Sequence, residues 1–221
     1  MIALTSTQII SLTKYNYNTR SVPPEDCVDV RGRGITHGDY FYFTIPKVCS
    51  SSIMSMIDGE SELGSECDYD PVIHKKPVMI IRDPVSRWLS GTLEFLKKFK
   101  VDDISSFLNQ DVFEIGFDRH TAPQTWFLPY NLAWDKIEII NYTPTVLAEM
   151  QVNGHFTGLN IEFRNPTMGD TKKEILPKLM ERYSDPDFIM RIQDFYRRDY
   201  ELISQANKAI KSPEPILNSI S

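Results

Sequence analysis

Short apolar runs alternate along this chain with stretches in which apolar residues recur every three or four positions. "DYFYFTIP" (39–46) is aromatic and β-branched and closes on proline, which predicts a buried strand. "PVMII" (77–81) and "KIEIINY" (136–142) predict two more. Between them the period changes. "SSSIMSMI" (50–57) spaces Ile53, Met54, Met56 and Ile57 over a turn and a half, a short helix. "RDPVSRWLSGTLEFLKKF" (82–99) predicts a longer one, with Asp83 as N-cap, Pro84 in first position, and Val85, Trp88, Leu89, Leu93, Leu96 and Phe99 as its core face. Short helices are expected at 103–110 and 143–151, longer ones at 171–183 and 185–210, and a helix or loop at 119–129. The last begins Asp185-Pro186, again cap then proline.

Strands that alternate with helices argue for an α/β domain around a mainly parallel sheet. Such sheets bind ligands beyond the carboxyl ends of their strands. Two of the expected strand ends carry cations there, Lys47 after Pro46 and Arg82 after Ile81. Residues 1–35 are polar and rich in turn formers, an arm ahead of a single domain over 36–221, and the acidic 59–71 reads as a loop.

Composition narrows the classes. At 221 residues and 41% hydrophobic the chain can bury a substantial core. A net charge of -6 argues against a general nucleic-acid binder, which needs a basic surface. Cys27, Cys49 and Cys67 show no metal spacing and no disulfide framework, so no metal is expected. The first residues lack a signal-peptide pattern, and no apolar run approaches the roughly 18 residues of a membrane span. A cytoplasmic protein without a membrane partner is the expectation.

"PKVCSSS" (46–52) sets a lysine and three hydroxyls where a strand meets a helix. Backbone N–H groups at a helix start and serine hydroxyls both donate to anions. A Walker A loop would put glycines first and the lysine inside the helix start, whereas here the lysine precedes the turn and no glycine is present. That weighs against a nucleotide kinase. "IIRDPVSRWLSG" (80–91) adds an arginine at a strand end and Ser90 two turns into the next helix, a second anion grip.

Together these stretches resemble the two signatures of the sulfotransferases that use 3'-phosphoadenosine 5'-phosphosulfate (PAPS). "IPKVCSSSI" (45–53) is similar to the motif around the 5'-phosphosulfate. "RDPVSRWLS" (82–90) matches every fixed position of R-[DN]-P-x-x-R-x-x-S, the 3'-phosphate motif, through Arg82, Asp83, Pro84, Arg87 and Ser90. "DRHTAPQTWFL" (118–128) resembles a His–Pro–Gln segment of glycan-type members, and "DFYRRDYELI" (194–203) their closing helix with Tyr-x-x-Asp-Tyr. The likeness covers roughly 39–203 and is closest to the carbohydrate and tyrosyl-protein types. One position departs: Cys49 stands where the family usually has glycine or alanine.

The resemblance implies a three-layer, P-loop-like sulfotransferase fold, with a central, mainly parallel sheet flanked by helices. It implies sulfuryl transfer from PAPS to a hydroxyl acceptor, a carbohydrate first, giving PAP and a sulfate ester. Lys47 would stand at the leaving oxygen. Lys47, Cys49, Ser50, Ser51 and Ser52 would hold the phosphosulfate, and Arg82 and Ser90 the 3'-phosphate, with Arg87 a structural or secondary phosphate contact. For the general base Glu66 comes first by alignment, with Glu62 and Asp68 beside it and His120 as the other candidate. A non-enzymatic binder of PAP or sulfated ligands and a nucleotide kinase of related fold are the alternatives.

Overall fold

The computed structural model describes residues 34–57, 75–99, 120–129, 132–161, 177, 179–181 and 184–211. Among the described residues four strands form one sheet in the order β1 (Gly34–His37), β2 (Tyr40–Phe43), β3 (Lys76–Ile81) and β4 (Glu138–Asn141). β1 and β2 are antiparallel, while β2, β3 and β4 run parallel. The α/β class and the mainly parallel sheet are therefore as expected. All three expected strands are present, and β1 is an addition that the turn-rich reading of 1–35 did not foresee. Gly34 meets a close approach: a Cβ there would lie 2.5 Å from Phe41 Cζ and from the Tyr42 carbonyl oxygen.

β3 explains the sheet's burial. Pro77 to Ile81 are all buried, on both faces of the strand, as a central parallel strand requires. Phe41, Tyr42 and Phe43 of β2 are buried likewise, whereas all four residues of β4, the outermost described strand on that side, are only partly so. The core gathers these side chains with Ile45, Val48 and Ile53, with Phe127 and Leu128, and with Val146, Leu147 and Phe156.

Among the described residues the helices are α1 (Ser50–Met56), α2 (Pro84–Phe99), α3 (Val146–Val152), α4 (Pro186–Phe195) and α5 (Arg197–Lys211), and residues 177 and 179–181 are helical too. The caps act as the sequence predicts. Asp83 Oδ1 accepts from Ser86 N at 2.8 Å, and Asp185 Oδ1 from Asp187 N at 3.0 Å. The segment expected as one helix over 185–210 is instead two, broken at Tyr196. Hydrogen bonds from Tyr196 N to Ile192 O and from Tyr200 N to Tyr196 O carry the chain through the break. The Tyr196 hydroxyl donates to the Thr121 carbonyl, so a tertiary contact sits at the bend. The segment 119–129 resolves, over its described part, as a 3-10 turn at Gln124–Phe127, and a second such turn covers Trp134–Lys136.

The core face of α2 also needs correction. Trp88 and Leu96 are fully buried, but Val85, Leu89 and Leu93 are only half-buried, and Arg87 and Thr92 are buried instead. The reason is the segment 120–123, which packs against the Gly91 side of α2. A Cβ at Gly91 would stand 2.5 Å from the His120 carbonyl oxygen. The expected helix 103–110 and the acidic loop 59–71 lie outside the described residues. No helix among the described residues is long and apolar enough to cross a membrane.

Candidate functional site

β2 ends at Phe43, and the chain turns back within six residues to start α1. Val48 N bonds to Ile45 O at 3.4 Å, closing a turn with Pro46 and Lys47 at its centre. Lys47 has φ 68, as the third residue of a type II turn needs after proline. Cys49 has φ 62 and caps α1 without a side-chain hydrogen bond. Two non-glycine residues in left-handed backbone within three positions cost about 1–2 kcal/mol each. Burial of Ile45 and Val48 on either side of Lys47 offsets that strain. Of the glycine or alanine of the resembled motif, only glycine would relieve the strain at Cys49.

Two arginines then fasten the turn from β3 and α2. Arg82 Nη1 donates to Lys47 O at 3.3 Å, and Arg87 Nε donates to Pro46 O at 3.0 Å. The stretch after β2 and the stretch after β3 thus meet at the carboxyl ends of adjacent parallel strands. Arg82 is half-buried and its guanidinium lies 4.8 Å from the ring centre of Tyr142, just past the end of β4. Arg87 is fully buried, also donates to the Ala122 carbonyl, and lies over Phe127. Its part is structural.

Gln124 and Asp199 hold Arg82 from behind. Arg82 N donates to Gln124 Oε1 at 2.9 Å, and Gln124 Nε2 donates to Arg82 O at 2.8 Å. Asp199, fully buried on α5, accepts from Gln124 N at 2.8 Å, from Thr125 N at 3.0 Å and from Thr125 Oγ1 at 3.0 Å. Burial pushes the Asp199 carboxyl up, while these donors and the Arg87 charge pull it down. The Tyr-x-x-Asp of the closing helix, Tyr196 and Asp199, is therefore a clasp on 121–125.

The expected site residues divide as follows. Ser50 is half-buried and Ser51 exposed at the start of α1, whereas Ser52 is buried. α1 has seven residues, too short for its dipole to dominate, so the cations set the field here. Burial raises the Cys49 thiol to about 11, against the pull of Arg82, which leaves it protonated near neutral pH. Ser90 is half-buried on α2, between Arg87, which reaches Pro46 O, and Glu94, whose Oε2 lies 3.5 Å from Lys47 Nζ. His120 is half-buried, with its backbone against Gly91. Glu66, Glu62 and Asp68 lie outside the described residues. Trp126 is buried and edge-on to Phe195.

Sequence reasoning missed the parts played by Glu94, Gln124, Asp199 and Tyr142. Helical spacing from Ser90 points to Glu94, and the His–Pro–Gln echo to Gln124. No local pattern announces Tyr142. Among the described residues no group of three or more His, Cys, Asp or Glu stands together as a metal site.

Compared with protein-family models, with curated proteins and with solved structures, the chain matches none.

Proposed function

We propose that this chain transfers a sulfuryl group from PAPS to a hydroxyl of a carbohydrate acceptor. The observation that carries the reading is the fastening of Lys47 to Arg82. Two motifs 35 residues apart in sequence share one edge of the sheet through the 3.3 Å bond from Arg82 Nη1 to Lys47 O. The residues present fit a doubly anionic ligand. The Lys47 carbonyl and the Arg82 backbone are both hydrogen-bonded, Ser50 and Ser51 open α1, Ser90 lies on α2, and no carboxylate but Glu94 is paired with either cation among the described residues.

Each residue then has a distinct task. Ser50 and Ser51 donate hydrogen bonds to the phosphosulfate, Arg82 grips the 3'-phosphate in its bidentate manner, and Ser90 completes that grip. PAPS supplies an activated sulfuryl group whose S–O bond to the phosphate breaks as the acceptor oxygen bonds to sulfur, the electron pair leaving with PAP. Lys47 offsets the charge that grows on the departing oxygen. The acceptor proton passes to Glu66 or to His120. Positioning and charge do most of the work, as in phosphoryl transfer.

The test is a screen of acceptor classes with labelled PAPS. Transfer of label to a glycan hydroxyl is the expected outcome. Tight PAP binding with no transfer to glycans, tyrosyl peptides or small alcohols would replace the enzyme by a PAP-binding protein.

A further inference from the structure

The face that α2 turns toward the 46–47 turn is spaced at helical intervals, Arg87, Ser90 and Glu94. The first two belong to the motif already discussed. Glu94 does not, yet its carboxylate is the group that the Lys47 ammonium meets, at 3.5 Å. The pair is unequal: the Lys47 side chain is 17% exposed and that of Glu94 44%. The lysine backbone cannot follow its ammonium. It is held in left-handed conformation, with its carbonyl bonded to Arg82 and its neighbours Ile45 and Val48 buried.

We infer that Glu94 is a positioning residue for sulfuryl transfer, an exchangeable partner that holds the Lys47 ammonium whenever the donor is absent. This rests on the sulfotransferase reading of the site. With the backbone pinned, the lysine side chain alone moves between two anions, the Glu94 carboxylate and the phosphosulfate of the donor. The two anions repel each other and compete for one cation, so Glu94 weakens the hold on both donor and PAP. That competition favours turnover. PAP keeps its phosphates after transfer, and Lys47 with Arg82 would retain it; recapture of the ammonium by Glu94 speeds its departure. Binding energy spent equally on all bound states does not raise the rate, and Glu94 removes part of it.

Three variants and three readouts test this. Reductive methylation of the ligand-free protein, followed at Lys47 by mass spectrometry, reads the pairing without any nucleotide. Glu94→Gln is expected to speed that modification severalfold. Calorimetric titration with PAP is expected to show about fivefold tighter binding for Glu94→Gln. In turnover with labelled PAPS, kcat falls while the KM for PAPS falls with it. Glu94→Asp, which keeps the charge, restores kcat toward the wild-type value. Glu94→Ala is expected to follow Glu94→Gln, which separates the charge from the shape. Unchanged methylation and unchanged or weaker PAP binding in Glu94→Gln would overturn the inference. Faster methylation in a protein that does not bind PAP at all would instead overturn the sulfotransferase reading and the transfer role of Glu94 with it, leaving only the ion pair.

Discussion

The side-chain amide of Gln124 pairs with the backbone of Arg82 as a neighbouring strand would, one bond in each direction, at 2.9 and 2.8 Å. It extends the ladder past the last residue of β3, at the point where the chain bends into α2. The proposed 3'-phosphate grip is therefore based on a residue 42 positions away. Gln124→Ala would leave the N–H and C=O of Arg82 without these partners, at about 1–3 kcal/mol. A drop in thermal stability together with weaker PAP binding is the expected result. Gln124→Glu keeps the acceptor but puts a second carboxylate oxygen where Gln124 Nε2 now lies 3.3 Å from the buried Asp199 Oδ2, and is expected to lose at least as much as Gln124→Ala in both measurements.

Cys49 tests the strained turn. Cys49→Gly relieves a left-handed φ but loosens the unfolded chain and removes a half-buried side chain, so unfolding free energy should stay within about 1 kcal/mol of wild type. Cys49→Val puts a β-branched side chain at φ 62 and should lose about 2 kcal/mol or more, with PAP binding lost in parallel. Chemical denaturation of both variants measures the difference.

Gly91 lets α2 lie against the backbone of 120–121. Gly91→Ala places a methyl 2.5 Å from the His120 carbonyl oxygen and 2.8 Å from its carbon, neither of which is the end of a flexible side chain. A loss of about 1–3 kcal/mol is expected, despite the higher helix propensity of alanine. Guanidinium denaturation would show it, and an unchanged midpoint would mean that α2 and the 120 segment are not so close.

At the opposite, amino end of the sheet, His155 is buried between Tyr42 and Glu138. Its Nδ1 lies 3.2 Å from Tyr42 Oη and its Nε2 3.2 Å from Glu138 Oε1, while Lys76 Nζ reaches Glu138 Oε2 at 2.7 Å. Burial holds the imidazole below its usual range, with Glu138 pulling it back up. The unfolded chain then takes up the proton first. Stability is complete above about pH 6.5 and is lost as pH falls from there through the folded-state value, with a slope of at most about 1.4 kcal/mol per pH unit. His155→Phe should flatten that slope in a pH series of urea melts.

How far the sequence disclosed all this depends on whether the signal was local. The strands at 39–46 and 77–81 were legible because apolar runs end on proline or arginine within a few residues. The caps Asp83 and Asp185 were legible because side chain and helix start are adjacent. The helix break at Tyr196 was not, and the contact that accompanies it is a hydroxyl reaching Thr121, 75 positions earlier. Arg87 is expected as a structural or secondary phosphate contact, but its full burial was not legible, because the carbonyls of Pro46 and Ala122 that help make it tolerable lie 41 and 35 positions away. In the candidate site, Lys47, Arg82 and Ser90 stood out by motif. Helical spacing puts Glu94 on the face of Ser90, but its pairing with Lys47 and the place of Tyr142 beside Arg82 depend on how α2 and β4 pack. Asp199 was visible only as part of a pattern, without its task.

The central claim is that Lys47 and Arg82 form one grip for a nucleotide with phosphates at both ends. Calorimetric titration with PAP, and in parallel with ATP plus magnesium, of the wild type and of Lys47→Ala and Arg82→Ala tests it most directly. The expected result is saturable PAP binding that exceeds ATP binding, weakened by Arg82→Ala by about 2 kcal/mol, or some thirtyfold. Binding of ATP with magnesium and none of PAP, or PAP binding indifferent to Arg82, would contradict the account.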